Sequence, residues 1–146
     1  MKSRGWGVAS GAVLVGLLLA GLCGCATTGK LALTDARIVP QKAPGGEEIV
    51  ICVRVIDPQD IIAVVTATVR EYPDISLDLN DDGQQGDKVA GDGVWSCAFE
   101  IPWGAPAGEY YWDFDAYDGD GTSIKVEGEA GEEENLTAEA VLEIVL

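Results

Sequence analysis

The sequence contains no histidine, and this absence excludes several kinds of chemistry at once. Histidine is the commonest general base near neutral pH and the commonest metal-binding nitrogen. A Ser-His-Asp or Cys-His catalytic set is therefore excluded, as is a zinc site with histidine ligands. We expect a protein that is not an enzyme. The alternative left open by the abundant Asp and Glu is a small hydrolase that uses two carboxylates, or an accessory domain of an envelope enzyme complex.

Basic residues are also scarce, since 9 Lys and Arg stand against 25 Asp and Glu in 146 residues, for a net charge of -16. Such a surface repels phosphate groups, so we expect no nucleic acid partner and no polybasic contact with anionic lipid. The distribution of charge is uneven. Residues 25–70 hold five bases and five acids, whereas residues 71–146 hold two bases and twenty acids. If the chain is tethered at its N-terminal end, this asymmetry predicts that the acidic half points away from the membrane.

The first 24 residues have the pattern of a signal peptide, with Lys2 and Arg4 ahead of an uncharged apolar stretch. The sequence Leu22-Cys23-Gly24-Cys25 that ends it resembles the lipobox of bacterial lipoproteins, and Cys25 fits the modified position better than Cys23. The resemblance implies cleavage before Cys25, a diacylglyceryl thioether on its sulfur and acylation of the new amino group. The alternative is an uncleaved N-terminal membrane anchor. Ala26 at the second mature position implies the outer membrane if the envelope is Gram-negative.

The remaining chain alternates apolar and polar residues with a period of two and is interrupted by Gly, Pro, Asp and Asn about every ten positions. After a short tether at 25–31, this rhythm predicts one all-β domain over 32–146, an immunoglobulin-like antiparallel β-sandwich of about seven or eight strands. The expected strands are 31–39, 47–56, 61–70, 75–79, 94–101, 109–117, 123–129 and 138–146. The alternation places Trp95, Cys97 and Phe99 on one core face and Tyr110, Trp112 and Phe114 on another.

A family resemblance appears in the second half of the chain. The run Asp81-Asp82-Gly83-Gln84-Gln85-Gly86-Asp87-Lys88-Val89-Ala90-Gly91-Asp92-Gly93 followed by Val94-Trp95 resembles a hairpin of bacterial surface Ig-like domains akin to fibronectin type III. Such domains are spacers, adhesive or binding modules, and accessory parts of secreted proteins. The resemblance implies an Ig-like fold. From the lipobox, the strand rhythm and the absence of a recognisable catalytic set, we expect an envelope module that binds an unknown protein or glycan partner or acts as a spacer.

Two sets of side chains are candidates for a site within the domain. Cys52 and Cys97 are the cysteines left after the lipobox, and in an oxidising compartment we expect either a disulfide or two separate buried thiols. A disulfide needs both Cβ atoms on the same side of neighbouring strands, but the alternation places Cys52 on the face of its strand opposite the more regular row of apolar residues. The acidic loop supplies the second set, in which Asp78, Asn80, Asp82 and Gly83 match the D-x-[DN]-x-[DN]-G pattern of a calcium loop. Val89 stands where that pattern needs a Glu, so Asp87 or Asp92 must complete a calcium site. The alternative is a turn-rich loop whose carboxylates cap its own backbone.

Overall fold

The computed structural model describes residues 29–146, which contain ten β-strands. The predicted signal peptide 1–24 and the lipidation site Cys25 lie outside the described residues. No helix within the described part is long and apolar enough to span a membrane. The strands are β1 Ala32–Val39, β2 Lys42–Pro44, β3 Glu48–Ile56, β4 Val64–Val69, β5 Tyr72–Leu79, β6 Val94–Glu100, β7 Gly108–Tyr117, β8 Lys125–Glu127, β9 Glu133–Asn135 and β10 Thr137–Val145.

Two sheets face each other across one core. The first has the strand order β1-β3-β6 and the second β2-β10-β7-β4-β5, while β8 and β9 form a separate hairpin. Neighbours in each sheet are frequently distant in sequence, as expected for the Greek-key connections of an immunoglobulin-like sandwich. The predicted fold class is therefore confirmed. One pairing differs from the expectation, since the short strand β2 lies parallel to β10.

The core follows the alternation of the strands. Ile49, Ile51 and Val53 of β3 are fully buried, and they face Trp112 and Phe114 of β7 across the sandwich. Intervening residues such as Asp113 and Asp115 lie on the outer face of the second sheet, as predicted. Because the rows of apolar side chains from both sheets join in one cluster, residues 32–145 enclose a complete hydrophobic core.

The register of β3 and β6 decides the state of the cysteines. Cys97 lies opposite Ile51, whereas Cys52 lies opposite Ser96. Directly opposed residues point to the same side of a sheet and successive residues to opposite sides. Cys97 thus points into the core and Cys52 to the outer face, so both are buried free thiols. The disulfide expectation is corrected in favour of two separate thiols. Burial raises the pKa of each thiol above its ordinary value.

The two ends of the sandwich differ in their loops. What we call the proximal pole holds Gly29 and the loops 57–63, 80–93 and 118–136. Lys30 Nζ donates a hydrogen bond to the Glu127 carbonyl there, at 3.0 Å. The distal pole holds the loops 40–47 and 101–107, the turn 70–71 and the C-terminal Leu146. Gly29 therefore lies at the proximal pole and Leu146 at the distal pole.

The acidic loops lie at the proximal pole. Four acids of the loop 80–93 and seven of the segment 118–136 share this end with Gly29. This placement contradicts the expectation that the acidic half points away from the tether. Charge by sequence half does not separate the two poles, because successive loops of a sandwich alternate between its two ends.

Candidate functional site

The candidate site is the loop 80–93, which connects β5 to β6 at the proximal pole. At its base Asn80 and Ser96 exchange backbone hydrogen bonds of 2.9 and 2.8 Å. Further along, the loop runs beside the free edge of β6, where the Ala98 N–H donates to the Gln85 carbonyl at 2.6 Å. Gly86 adopts φ +100 there, and a Cβ at this position would lie 2.8 Å from the Ala98 nitrogen. Only glycine allows this close approach of the loop to the sheet.

Asp81 organises the second half of the loop. Its Oδ1 accepts hydrogen bonds from the Gly91 N–H at 2.9 Å and the Asp92 N–H at 3.2 Å, and its Oδ2 accepts one from the Gly93 N–H at 3.0 Å. Three successive backbone donors converging on one carboxylate hold residues 91–93 in a fixed curve. The positive φ angles of Gly91 and Gly93 permit this curve.

Asp87 and Asp92 bring two more carboxylates to the same place. Asp87 is only 7% exposed, and its Oδ2 accepts a hydrogen bond from the Gly83 N–H at 2.6 Å. One carboxylate oxygen from each of Asp81, Asp87 and Asp92 lies within 4.8 Å of the other two. Calcium binds oxygen at 2.3–2.6 Å, so ligands of one ion lie up to about 5 Å apart. The spacing of this cluster, which we call the Asp81 cluster, fits a single calcium ion.

The structure places the sequence-predicted metal ligands differently from the calcium-loop pattern. It brings Asp87 and Asp92 together, but Asp78 and Asp82 are not among the carboxylates of the cluster. Asp78 is exposed on β5 opposite Thr66, and Asp82 Oδ1 accepts the Gln84 N–H in a local turn. Asp78 and Asp82 are not gathered with the other carboxylates, because β5 continues to Leu79 and the loop bends only after it. Asn80 as a ligand stays a prediction. The missed residue is Asp81, which the D-x-[DN]-x-[DN] spacing passes over.

Replacement of Asp81 by Ala is expected to lower the free energy of unfolding by about 2–4 kcal/mol, because three backbone donors lose a charged acceptor. Asp82→Ala is the matched control. It removes an adjacent carboxylate that holds one exposed N–H, and its expected cost is about 1 kcal/mol or less. Urea denaturation followed by circular dichroism measures both. Equal losses for the two variants would contradict the role assigned to Asp81.

A second charged group lies on the outer face of the five-stranded sheet. Arg70 Nη2 donates to Asp113 Oδ1 at 2.6 Å and also contacts Glu139, and its guanidinium lies 5.0 Å from the centre of the Tyr111 ring. Burial raises the pKa of the neighbouring Asp115, and the charge of Asp113 adds to the shift. The guanidinium of Arg70 is already shared between two acids. The group accordingly serves to pair charges across β4, β7 and β10.

The distal pole presents an aromatic side chain that the sequence patterns did not single out. Trp103, in the loop after β6, is 80% exposed. Its ring lies against Gly46 of the neighbouring loop, and a Cβ at Gly46 would collide with it. The two loops are joined by a 2.7 Å hydrogen bond from the Gly46 N–H to the Ile101 carbonyl. Trp103 is therefore an exposed indole held in a defined position.

Comparison with known proteins gives likeness of fold only. No protein-family model and no curated protein sequence matches the chain. Among solved structures, it is similar to an engineered protein (15% identity, TM-score 0.45, 80% of this chain and 20% of that chain). It is also similar to the endo-beta-1,4-mannanase of Thermotoga petrophila (10% identity, TM-score 0.47, 81% of this chain and 20% of that chain). The third is the fibronectin(III)-like modules of Clostridium thermocellum CbhA (14% identity, TM-score 0.41, 79% of this chain and 96% of that chain). The chain thus spans about a fifth of the first two proteins.

Proposed function

We propose that the protein is a lipid-anchored module of the cell envelope that acts without catalysis and presents its distal pole to a protein or glycan partner. The lipobox-like sequence supports the anchor. Cys25 precedes Gly29 by four residues, a span of at most about 14 Å, so acylation at Cys25 keeps the proximal pole beside the membrane. The distal pole then faces outward. In a Gram-negative cell this membrane is the outer membrane.

The observation that carries the binding role is the exposed Trp103 at the outward end of the domain. Tryptophan is enriched among the residues that dominate binding energy at interfaces, since a large rigid ring is buried at little entropic cost. The ring packs against Gly46 while most of its surface stays exposed to a partner. An exposed, preorganised indole at the tip of a tethered domain suits recognition of a partner surface or a sugar ring.

Site-specific photo-crosslinking in the producing cell tests this role. A photoreactive amino acid is placed at position 103 of the full-length protein and, as a matched control, at the exposed Gln59 of the proximal pole. We expect a discrete light-dependent adduct from position 103 only. Treatment of the adduct with protease or with glycosidase tells a protein partner from a glycan. Equal adducts at the two positions, or none at position 103, would contradict binding through the distal pole.

A calcium-dependent form of the module is supported by the Asp81 cluster. Three carboxylates within 4.8 Å match the charge and spacing that calcium needs, with carbonyl oxygens and waters completing six to eight ligands. The same carboxylates also accept backbone N–H groups, as in a loop that caps itself. An oxygen that accepts one hydrogen bond retains a second lone pair for a metal ion.

Thermal unfolding of residues 26–146 with calcium or with chelator distinguishes these two roles. If calcium binds, a concentration one hundred times the Kd stabilises the domain by about 2.7 kcal/mol and raises the Tm. Asp87→Asn is expected to abolish the shift, while Asp78→Asn, a charge change outside the cluster, leaves it intact. An unchanged Tm at millimolar calcium would establish that the loop is held by its own hydrogen bonds alone.

The competing proposal is a carboxylate-dependent hydrolase or an accessory domain of an envelope enzyme complex. Such a hydrolase needs an acid and a base facing a substrate cleft. The three carboxylates that the structure gathers are bonded to the backbone of their own loop, which favours a structural or cation-binding role. We therefore place the binding module first.

A further inference from the structure

A cavity of about 260 Å³ opens between the two sheets at the distal pole. Its walls come from β4, β5, β6, β7 and β10 and from the loop after β6. All twelve residues that line it are uncharged, and four of them are the aromatic residues Tyr72, Phe99, Tyr110 and Trp112. A cavity of about 150 Å³ with apolar walls holds a benzene molecule. This larger one has room for an aromatic ring with a short substituent.

The aromatic side chains occupy two levels of the cavity. Phe99 and Trp112 meet edge to face inside it, with ring centres 5.6 Å apart. Tyr72 and Tyr110 are 6.1 Å apart and tilted by 31°. Tyr72 is 49% exposed, so this second pair stands at the mouth. The faces of aromatic rings carry partial negative charge and attract cations.

A carboxylate lies beside the cavity without lining it. Glu71 precedes Tyr72, and its Oε2 accepts a hydrogen bond from the Tyr111 N–H at 3.1 Å. Burial raises the pKa of the Tyr110 hydroxyl, and the nearby Tyr72 and Glu71 add to that shift. The basic residues of this pole, Lys42 and Arg70, are engaged in ion pairs with acids of their own sheet. Glu71 takes part in none of the ion pairs among residues 29–146, so its charge remains available beside the entrance.

We propose that this cavity binds a small hydrophobic molecule that carries one positive charge. The apolar body lies between the sheets against Phe99 and Trp112, and the ammonium group remains at the mouth between Tyr72, Tyr110 and Glu71. Charge complementarity sets the sign of the ligand, since an anion of the same size meets only rings and a carboxylate there. This site is separate from the exposed indole of Trp103, which does not line the cavity.

Isothermal titration of the full chain in phosphatidylcholine nanodiscs tests the proposal, with empty nanodiscs as background. The probes are 2-phenylethylammonium, 2-phenylethanol and phenylacetate, which share a ring and a two-carbon chain or its near equivalent and differ in charge. We expect the cation to bind about tenfold more tightly than the alcohol, as a partly desolvated cation–π contact predicts. The anion is expected to bind most weakly.

Two pairs of variants separate filling of the cavity from the charge at its mouth. Ala105→Phe places a ring in the lining and is expected to abolish binding of all probes, whereas Ala107→Phe adds the same ring at an exposed neighbour outside the lining and leaves binding unchanged. Glu71→Gln is expected to remove most of the preference for the cation. Glu109→Gln makes the same charge change at an exposed acid that is not among the groups acting on the Tyr110 hydroxyl, and it retains the preference.

The outcomes are decisive in both directions. The site would be overturned if no probe gave a heat of binding at millimolar concentration. It would also be overturned if the Ala105→Phe variant kept its native circular dichroism spectrum and still bound the probes. Equal affinity for the cation and the alcohol would overturn the assignment of charge. The comparison of Glu71→Gln with Glu109→Gln does not require the core to accept a new ring, because both glutamates are exposed.

Discussion

Replacement of Trp112 by Ala is expected to lower the free energy of unfolding by about 3–5 kcal/mol, the usual cost of truncating a large buried aromatic residue. Trp112 is 1% exposed and packs edge to face against Phe99 between the two sheets. Domains of this size have a total stability of about 5–15 kcal/mol. The variant is therefore expected to be largely unfolded under mild denaturing conditions. Urea denaturation followed by far-ultraviolet circular dichroism measures the loss independently of tryptophan fluorescence.

A second tryptophan provides the matched control. Trp103→Ala removes the same side chain from a position that is 80% exposed, and its expected cost is within about 0.5 kcal/mol. Trp112→Phe adds a further test, since the Trp112 indole N–H is buried without a hydrogen-bond partner among residues 29–146. A buried unpaired donor costs about 1–3 kcal/mol, so its removal offsets part of the lost packing. Equal costs for Trp103→Ala and Trp112→Ala would contradict the core described above.

Replacement of Cys25 by Ser is expected to abolish lipid attachment. Each buried methylene contributes about 0.8 kcal/mol to membrane binding, so two or more acyl chains give durable anchoring where one gives marginal anchoring. Without the thiol, either the mature protein leaves the membrane fraction or the signal remains uncleaved. Metabolic labelling with an alkyne fatty acid, combined with membrane fractionation, measures both results. Cys23→Ser is the matched control and is expected to retain the label.

One result would refute lipidation at this position. It is a Cys25→Ser protein of mature length that still carries the label and stays in the membrane fraction. A precursor of full length that remains membrane-bound agrees with the proposal instead, because cleavage of a lipoprotein signal follows modification of the cysteine.

Most strands were predictable because half-buried strands show their period in the sequence. All eight expected strands are present, and β2 and β9 are additional three-residue strands. Three residues are too few to show a period, and β2 exists because β10 offers it a free edge. Tyr72-Pro73-Asp74, expected as a break, belongs to β5. Proline is tolerated there because β5 is the edge strand of its sheet and needs no donor on its outer side.

The carboxylate cluster lies in the loop that the sequence pattern selected, but it consists of partly different residues. The sequence pattern selected Asp78, Asn80 and Asp82 by analogy with a calcium loop between helices. In this sandwich Asp78 still lies within a strand, so the carboxylate that turns inward is Asp81. Which carboxylates converge depends on the path of the loop after β5, and that path is set by its contacts with Ala98 and Ser96 on a different strand.

The sequence alone determined the all-β class, the core faces of β6 and β7 and the surplus of acids in the second half. These are local properties, because a period of two assigns each residue to a face without reference to any other strand. The tertiary structure decided the separation of Cys52 from Cys97, the gathering of Asp81, Asp87 and Asp92, and the cavity at the distal pole. Each of these depends on register and packing between strands far apart in the chain, which no local pattern encodes.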